Sequence, residues 1–472
     1  MGHRYGLRPW LIRAANQRAL MQKRRLYDHN DRMVAPLPIR DLRPNPNNAR
    51  THSRQQIEQI ARSIDQFGFT NPVLIDGSNQ ILAGHGRVEA AKLLGVERVP
   101  TLRIEHLTDA EKRAYFIADN KLAEKAGWSD EILKIELQEL INLDFEVELT
   151  GFSPGEIDAL LDNQHSDGED VDDICPECDP SHVVTQTGDC WRAGRHLLLC
   201  GDARDQVSYK QLMAGEKAAY AITDPPYNIK IDGNAAGHGR VRYREFAFAS
   251  GEMNQTEFTT FLSDVFRQIR HHTAPGAICA AFMDWRHMPE MLVAGQMNFV
   301  ELKNLCVWVK PSGGLGSFYR SRHELAFVWK CSRGKHVNNF ELGQHGRTRT
   351  NVWEYTAGSV RAASAQGDHP TPKPVDLIAD AIRDCSRRDD LVLDPLSGSG
   401  TILLAAERTG RAARAIEIDP RYCDLAIRRW QTRTGQSAIH VDSGASFADR
   451  ESMTLHQIEA EALRERKGQR RR

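Results

Sequence analysis

The sequence predicts an α/β chain in two parts: a doubly wound sheet domain, preceded by a smaller α/β domain with a helical extension. Three observations carry that reading. Short apolar runs alternate with helical stretches through the second half, the pattern of strands and helices wound on one sheet. An acidic stretch at 162–186 lacks apolar periodicity and reads as a solvated linker. With 472 residues the chain is also too long for one ordinary core, so at least two domains are expected.

From the amino end, residues 1–35 form a basic segment carrying Arg4, Arg8, Arg13, Arg18, Lys23, Arg24 and Arg25. Its apolar patch, Trp10-Leu11-Ile12, is too short for a secretory signal. Residues 36–161 read as the smaller α/β domain with its helical extension. Ser53 with Gln56 makes a capping-box start, Ile57, Ile60, Ala61, Ile64 and Phe67 recur at helical spacing, and Gly68 is a natural stop. Val73-Leu74-Ile75 meets Asp76-Gly77, a hairpin signal, before Gln80-Ile81-Leu82-Ala83. A second helix follows over 88–94. Thr108 with Glu111 opens a third, and further helical segments carry the chain to 161. Beyond the linker, the domain at 187–434 has strands at 196–200, 220–223, 277–282, 305–309, 391–393 and 413–418. Residues 435–472 read as a polar tail ending in Arg470-Arg471-Arg472.

A formal net charge of −1 hides an uneven distribution, with acids gathered over 162–179 and bases at both ends. Near-neutrality therefore does not exclude a nucleic-acid partner, because a local cationic groove suffices for phosphate binding. Nine cysteines are an odd count without a framework, which fits a reducing cytoplasm and no structural disulfides. No apolar run approaches the roughly 20 residues of a membrane-spanning helix, so no membrane partner is expected. Cys175-Pro176-Glu177-Cys178, with His182 and Cys190, invites a zinc reading but lacks a clear second pair; no metal is expected.

Three features of the second domain fall where an open α/β sheet places ligands, at the carboxyl ends of strands. One is Asp394-Pro395-Leu396-Ser397-Gly398-Ser399-Gly400-Thr401 between an apolar strand and a helix. Glycines there let a ligand approach the backbone, and the helix start supplies free amides. A second is Glu417 at the end of the next strand, a carboxylate able to accept both ribose hydroxyls of a nucleoside cofactor. The third is Asp224-Pro225-Pro226-Tyr227 after a strand. Two prolines remove two amide donors and fix the backbone, leaving carbonyls free to accept, while the flanking carboxylate and aromatic ring complete a site for a planar amine. A carboxylate beside two prolines has few local donors, so an external amine is its expected partner.

With these motifs in order, residues 188–434 resemble the amino-group DNA methyltransferases that modify adenine N6 or cytosine N4. The resemblance implies a Rossmann-like domain, S-adenosylmethionine as cofactor and double-stranded DNA as partner. The catalytic tetrad Asp224, Pro225, Pro226 and Tyr227 precedes the cofactor loop, a permuted order similar to the beta class. His369-Pro370-Thr371-Pro372-Lys373-Pro374 matches that class's last motif, with proline where glutamine is more usual. Leu396 replaces the usual phenylalanine. The implied cofactor-binding residues are Asp202, His369, Thr371, Lys373, Asp394, Leu396, Ser397, Gly398, Ser399, Gly400, Thr401 and Glu417. Lys310-Pro311-Ser312-Gly313-Gly314, Arg320-Ser321-Arg322-His323-Glu324 and His336-Val337-Asn338-Asn339 are similar to the DNA-facing part. Aspartate rather than serine before Pro-Pro-Tyr resembles the adenine enzymes more often. The target base must leave the duplex, and Tyr227 is expected to stack on it.

Gly84-His85-Gly86-Arg87 resembles the phosphate-binding box of the ParB and sulfiredoxin N-terminal domain family, over residues 36–105. Amides at a helix start with Arg87 nearby can hold a nucleotide triphosphate or a DNA phosphate. No cysteine lies in this turn, which disfavours sulfiredoxin chemistry. A homodimer is left open. Two contrasting readings stand beside adenine-N6 methylation: cytosine-N4 methylation, and a nucleotide-switched DNA-binding protein whose methyltransferase half is inactive.

Overall fold

A computed structural model describes residues 33–143, 145–161, 183–229, 249–310, 313, 319–340, 348–355, 373–454 and 456. The chain divides into two compact units between Phe152 and Ser153.

In the first unit, strand β1 (Ala35–Pro38) is followed by helix α1 (Arg54–Phe67), β2 (Val73–Ile75), β3 (Ile81–Ala83), α2 (His85–Leu93), β4 (Arg98–Arg103), α3 (Asp109–Ala123) and α4 (Asp130–Asn142). The strands form a four-stranded sheet in the order β1-β4-β2-β3. Ser53 caps α1 by accepting from the Gln56 amide at 3.1 Å, and Gly68 ends it at φ 73°. The Gln56 side chain turns instead to His52 at 3.0 Å, so only half of the expected capping box forms; the whole box forms at Thr108 and Glu111. β2 and β3 pair antiparallel as expected, but the turn is not a two-residue Asp-Gly turn. The Asp76 carboxylate accepts from the Ser78 and Gln80 amides at 2.8 and 2.9 Å, and Asn79, at φ 63°, takes the left-handed position. A local side-chain bond to the backbone has overridden the dipeptide signal. Val73, Ile75, Ile81, Val88, Ala91 and Val99 make the core.

The second unit opens with α5 (Pro154–Leu161), which the sequence attached to the first domain. Its Asp158 is buried against Arg411, with paired bonds of 3.0 and 2.8 Å. The other three donors of Arg411 go to Ser386 Oγ, the Ser386 carbonyl and the Thr409 carbonyl, so the buried guanidinium is fully satisfied. Losing one partner of such a pair costs about 3–5 kcal/mol. The acidic linker at 162–186 and its cysteine pair lie almost wholly outside the described residues.

Then come β5 (Cys190–Ala193), β6 (His196–Cys200), α6 (Gln206–Met213), β7 (Ala218–Thr223), α7 (Gln255–His272), β8 (Thr273–Met283), α8 (Met288–Asn298), β9 (Glu301–Val309), β10 (His323–Lys330), β11 (Val352–Glu354), α9 (Val375–Cys385), β12 (Leu391–Asp394), α10 (Thr401–Thr409), β13 (Ala412–Glu417), α11 (Pro420–Thr434) and β14 (Ile439–His440). They build a ten-stranded sheet in the order β11-β9-β10-β8-β7-β12-β13-β6-β5-β14. The strands from β8 to β6 run parallel, so their carboxyl ends share one edge. β12 enters last but one of these in the chain, yet lies at their centre.

Two sequence expectations change here. His323 and Glu324, read as part of a DNA-facing loop, begin the strand β10 between β8 and β9. Asn339, read the same way, is buried, and donates to the Arg383 and Ser386 carbonyls at the end of α9 at 2.7 Å each. The segment after Thr434, read as a polar tail, returns to the sheet through β14. Its Phe447 packs edge-on against the buried Trp191, with ring centroids 5.3 Å apart.

Candidate active site

β7 delivers Asp224 to the carboxyl edge of the sheet. Thr223, the last residue of the strand, is buried, and its hydroxyl has no partner among the described residues. Among the described residues the Pro225 carbonyl accepts no hydrogen bond, as the double proline leads one to expect. Asp224 itself departs from expectation, because it already has donors. Tyr227 donates its hydroxyl to Asp224 Oδ1 at 2.7 Å, and Lys373 donates to Asp224 Oδ2. The Tyr227 hydroxyl also lies 3.0 Å from Glu324 Oε2, and Lys373 Nζ lies 3.1 Å from the same oxygen. Lys310 pairs with the other Glu324 oxygen.

Two carboxylates, two ammonium groups and one phenol thus close a single network. The Lys373 ammonium sits among three rings, 5.1 Å from the Phe282 centroid, 5.6 Å from Tyr227 and 5.8 Å from Trp308. Burial pushes the Asp224 carboxyl up from its ordinary value, against the pull of Lys373. Burial also opposes the charge on Glu324, but Lys373 and Lys310 outweigh it and hold this carboxyl below its ordinary value. Lys373, equally buried, is raised by the two carboxylates. A hydroxyl committed to two carboxylates fixes the Tyr227 ring, and the ring packs partly against the core beneath.

The Gly-Ser loop after β12 lies beside this network, since β12 neighbours β7. Asp394 accepts from the Leu396 amide at 3.2 Å, and burial raises its carboxyl well above the ordinary range. Leu396 is partly buried against the core. Gly398 and Gly400 adopt φ 51° and 76°. A Cβ on Gly400 would come within 2.3 Å of Ala426 Cβ, so only glycine fits where the loop crosses α11. Arg429, on α11, donates to the Ser399 carbonyl at 2.9 Å, to its hydroxyl at 3.0 Å and to the Thr401 hydroxyl at 3.3 Å. Ser399 and Thr401 are therefore held from behind by the chain itself. Ser397 differs: its buried hydroxyl has no partner among the described residues.

Glu417 at the end of β13 accepts from the Gly398 and Asp419 amides, both at 2.8 Å, and burial pushes its carboxyl up to about 7. Asp202, at the edge beyond β6, is gripped by Arg204, whose Nη2 lies 2.6 Å away. His369 and Thr371 lie outside the described residues.

In the first unit, Gly84 caps α2 at φ 101° with no side-chain cap bond. Arg87, expected to face a phosphate, instead donates to the Pro72 carbonyl at 2.7 Å and the Asn71 carbonyl at 3.3 Å. His85 accepts from the Asn45 amide at 3.2 Å, and burial lowers its pKa. Gly86 packs close to His52, which a Cβ there would approach to 3.1 Å.

Of three families matched among known proteins, two fall within one unit each and the third spans the boundary between Phe152 and Ser153. Residues 219–428 match the model of the family described as DNA methylase, residues 23–121 that of the ParB N-terminal domain, and residues 131–187 that of the ParB-methyltransferase HTH domain. The type II methyltransferase M2.MboI of Moraxella bovis is 30% identical over 224 residues, 45% of this chain and 80% of that protein. The chain belongs to the DNA methylase family that acts on N6 and N4 base amines. A second relative of this methylase, M.HinfI of Haemophilus influenzae, is 29% identical over 50% of this chain and 68% of its own length. The ParB-like nuclease domain-containing protein YnaK of Escherichia coli is 51% identical over 76 residues, 16% of this chain and 87% of that protein.

The methylase is an S-adenosylmethionine-dependent DNA methyltransferase of the N6/N4 class. Its residues fit that cofactor. A buried serine hydroxyl with no partner among the described residues, a strand-end carboxylate and left-handed glycines converge on the loop before α10. Sequence reading put Glu324 in the DNA-facing part rather than beside Asp224, and missed Arg429. Glu324 carried a signal, being an acid directly before the apolar run Leu325-Ala326-Phe327-Val328-Trp329. Arg429 carried none, since a basic residue on a helix is ordinary.

Proposed function

We propose that the methylase transfers the methyl group of S-adenosylmethionine to adenine N6 in double-stranded DNA, at a specific sequence. The observation that carries this reading is Asp224, presented at the sheet edge with its carboxylate oriented by Tyr227 and Lys373 beside the loop of Ser397 and Gly398. Aspartate at this position resembles the adenine enzymes more often than serine-bearing ones. A base amine is a weak nucleophile because its lone pair is delocalised into the ring. Donating to the Asp224 carboxylate and to the Pro225 carbonyl draws the nitrogen towards tetrahedral geometry and localises that pair. S-adenosylmethionine, which Ser397, Gly398 and Glu417 would hold, would supply an electrophilic sulfonium methyl and leave as the neutral thioether, its former S–CH3 electron pair on sulfur. The nitrogen then gives up one proton, for which the Asp224 carboxylate is the adjacent acceptor. Positioning and fixed acceptors account for the catalysis.

The test is to incubate unmethylated DNA with enzyme and S-adenosylmethionine, digest it, and identify the modified nucleosides by mass spectrometry. N6-methyladenine is expected. N4-methylcytosine transfers the reading to the alternative base, and no modified base removes it.

For the first unit, a nucleotide triphosphate at Gly84–Arg87 is supported by the uncapped amides at the start of α2. Because Arg87 is spent on carbonyls, His85 is the side chain to probe. Titration of the full chain with labelled nucleoside triphosphates should saturate and should weaken in His85→Ala; no saturable binding sinks this reading.

A further inference from the structure

Lys373 falls in a motif whose resemblance assigns it to the cofactor, yet its ammonium contacts the catalytic network. It is 5% exposed, lies on Asp224, stands 3.1 Å from Glu324 Oε2 and 3.3 Å from the Tyr227 hydroxyl, and is enclosed by Phe282, Tyr227 and Trp308. Its backbone is held too, because the Thr401 hydroxyl donates to the Lys373 carbonyl at 3.4 Å. The start of α10 thereby sets where the ammonium stands.

We infer that Lys373 is a positioning residue for methyl transfer: its ammonium, locked by Glu324, holds the Asp224 carboxylate charged and correctly turned to receive the base amine. A carboxylate offers about four lone-pair directions. Lys373 and Tyr227 occupy one on each oxygen, which leaves acceptor capacity directed elsewhere for the N–H groups of the amine. Without the ammonium, a recessed carboxyl beside Glu324 and Asp394 would hold its proton into the working pH range, and a protonated Asp224 cannot polarise the amine. Glu324 fits this role because it cannot itself serve the base. It is 7% exposed on β10, and Lys310 neutralises it from the β9 side. The arrangement is a chain of alternating charge, Lys310, Glu324, Lys373, Asp224, with the last carboxylate being the most exposed of the two, at 28%. The groups facing Asp224 are then Tyr227 from its own loop, Lys373 before α9, Glu324 from β10 and Asp394 from β12.

This inference rests on the methyl-transfer reading but not on which base is used. Single-turnover methylation of whichever amine the wild type modifies is followed from pH 5.5 to 9, and S-adenosylmethionine affinity is measured by calorimetry in the same proteins. In Lys373→Met the acid limb of the rate profile should move up by at least about one pH unit, the effect of losing one adjacent opposite charge. Cofactor affinity should stay within threefold. Lys373→Arg should restore the limb to within about half a unit. Glu324→Gln should move it the other way, because an anion beside Asp224 is lost while Lys373 remains. A tenfold or greater loss of cofactor affinity in Lys373→Met overturns the inference in favour of a cofactor ligand. An equal loss of rate at every pH overturns it in favour of a purely structural role. N4-methylcytosine as product would revise the substrate and leave this inference standing.

Discussion

Two strand-turn-helix corners of this chain are written in nearly the same local language and differ in what surrounds them. Both start a helix from a left-handed glycine with no side-chain cap, Gly84 before α2 and Gly400 before α10. At the first, the side chains are spent within the chain, with Arg87 bonded to the carbonyls of 71 and 72 and His85 accepting from Asn45, while the helix-start amides stay without a side-chain cap. At the second, the serine hydroxyl of residue 397 is buried without a partner among the described residues. Two carboxyls with raised pKa, Asp394 and Glu417, stand beside it. The second corner leaves buried side-chain groups for a ligand to satisfy, whereas the first offers a ligand only its uncapped backbone amides.

The largest effect that can test this contrast is at the tetrad. Asp224→Ala should cut methyl transfer by about 10³-fold or more, the scale of losing a preorganised electrostatic partner, with cofactor affinity within severalfold. Wild-type rates in that variant would show that the site beside the second corner does not work through Asp224. Next in size, Gly400→Ala should destabilise the methylase unit by about 2–4 kcal/mol in chemical unfolding, since the added methyl meets Ala426 and the backbone is left-handed. An unchanged midpoint would mean that the corner is not built to close tolerance. Arg87→Ala should cost about 1–3 kcal/mol by stranding carbonyls, and this loss should appear without any nucleotide present. Full stability in that variant, combined with lost nucleotide binding, would make the two corners alike.

The smallest effect concerns pH. Glu417 must be charged to accept ribose hydroxyls, and its carboxyl is raised to about 7. S-adenosylmethionine affinity should therefore strengthen by up to about tenfold from pH 6 to pH 8, and Glu417→Gln should flatten the dependence. The sign for folding is opposite. The unfolded chain releases this proton near its ordinary value and the folded chain near 7, so Glu417 lowers stability as pH rises through that window. A cofactor affinity independent of pH in the wild type would place the ribose elsewhere.

The sequence made most of the large architecture readable. The alternation of strands and helices, the glycine corner before α10, Glu417 at the end of β13 and Asp224 at the end of β7 are all local patterns, and each occupies the expected place at the sheet edge. It was less informative where a residue's role depends on partners far along the chain. Glu324 stands 97 residues from Tyr227, and Lys373 stands 149 residues from Asp224. The Asp76 turn shows the same limit at short range, since a side chain captured backbone amides that the Asp-Gly signal had allotted to a tighter turn.

Residue type and spacing were enough to predict an α/β chain in two parts with ligand corners at strand ends, because backbone geometry at strand ends and helix starts follows from local chemistry; the methylase and ParB-like readings came from the resemblance that those motifs carry. Which carboxylate meets which ammonium was decided only by the sheet order. Placing β12 between β7 and β13, and β10 against β8, brings Lys373 and Glu324 onto the Asp224 corner. Electrostatic energy depends on distance in space, and a linear pattern does not contain that distance.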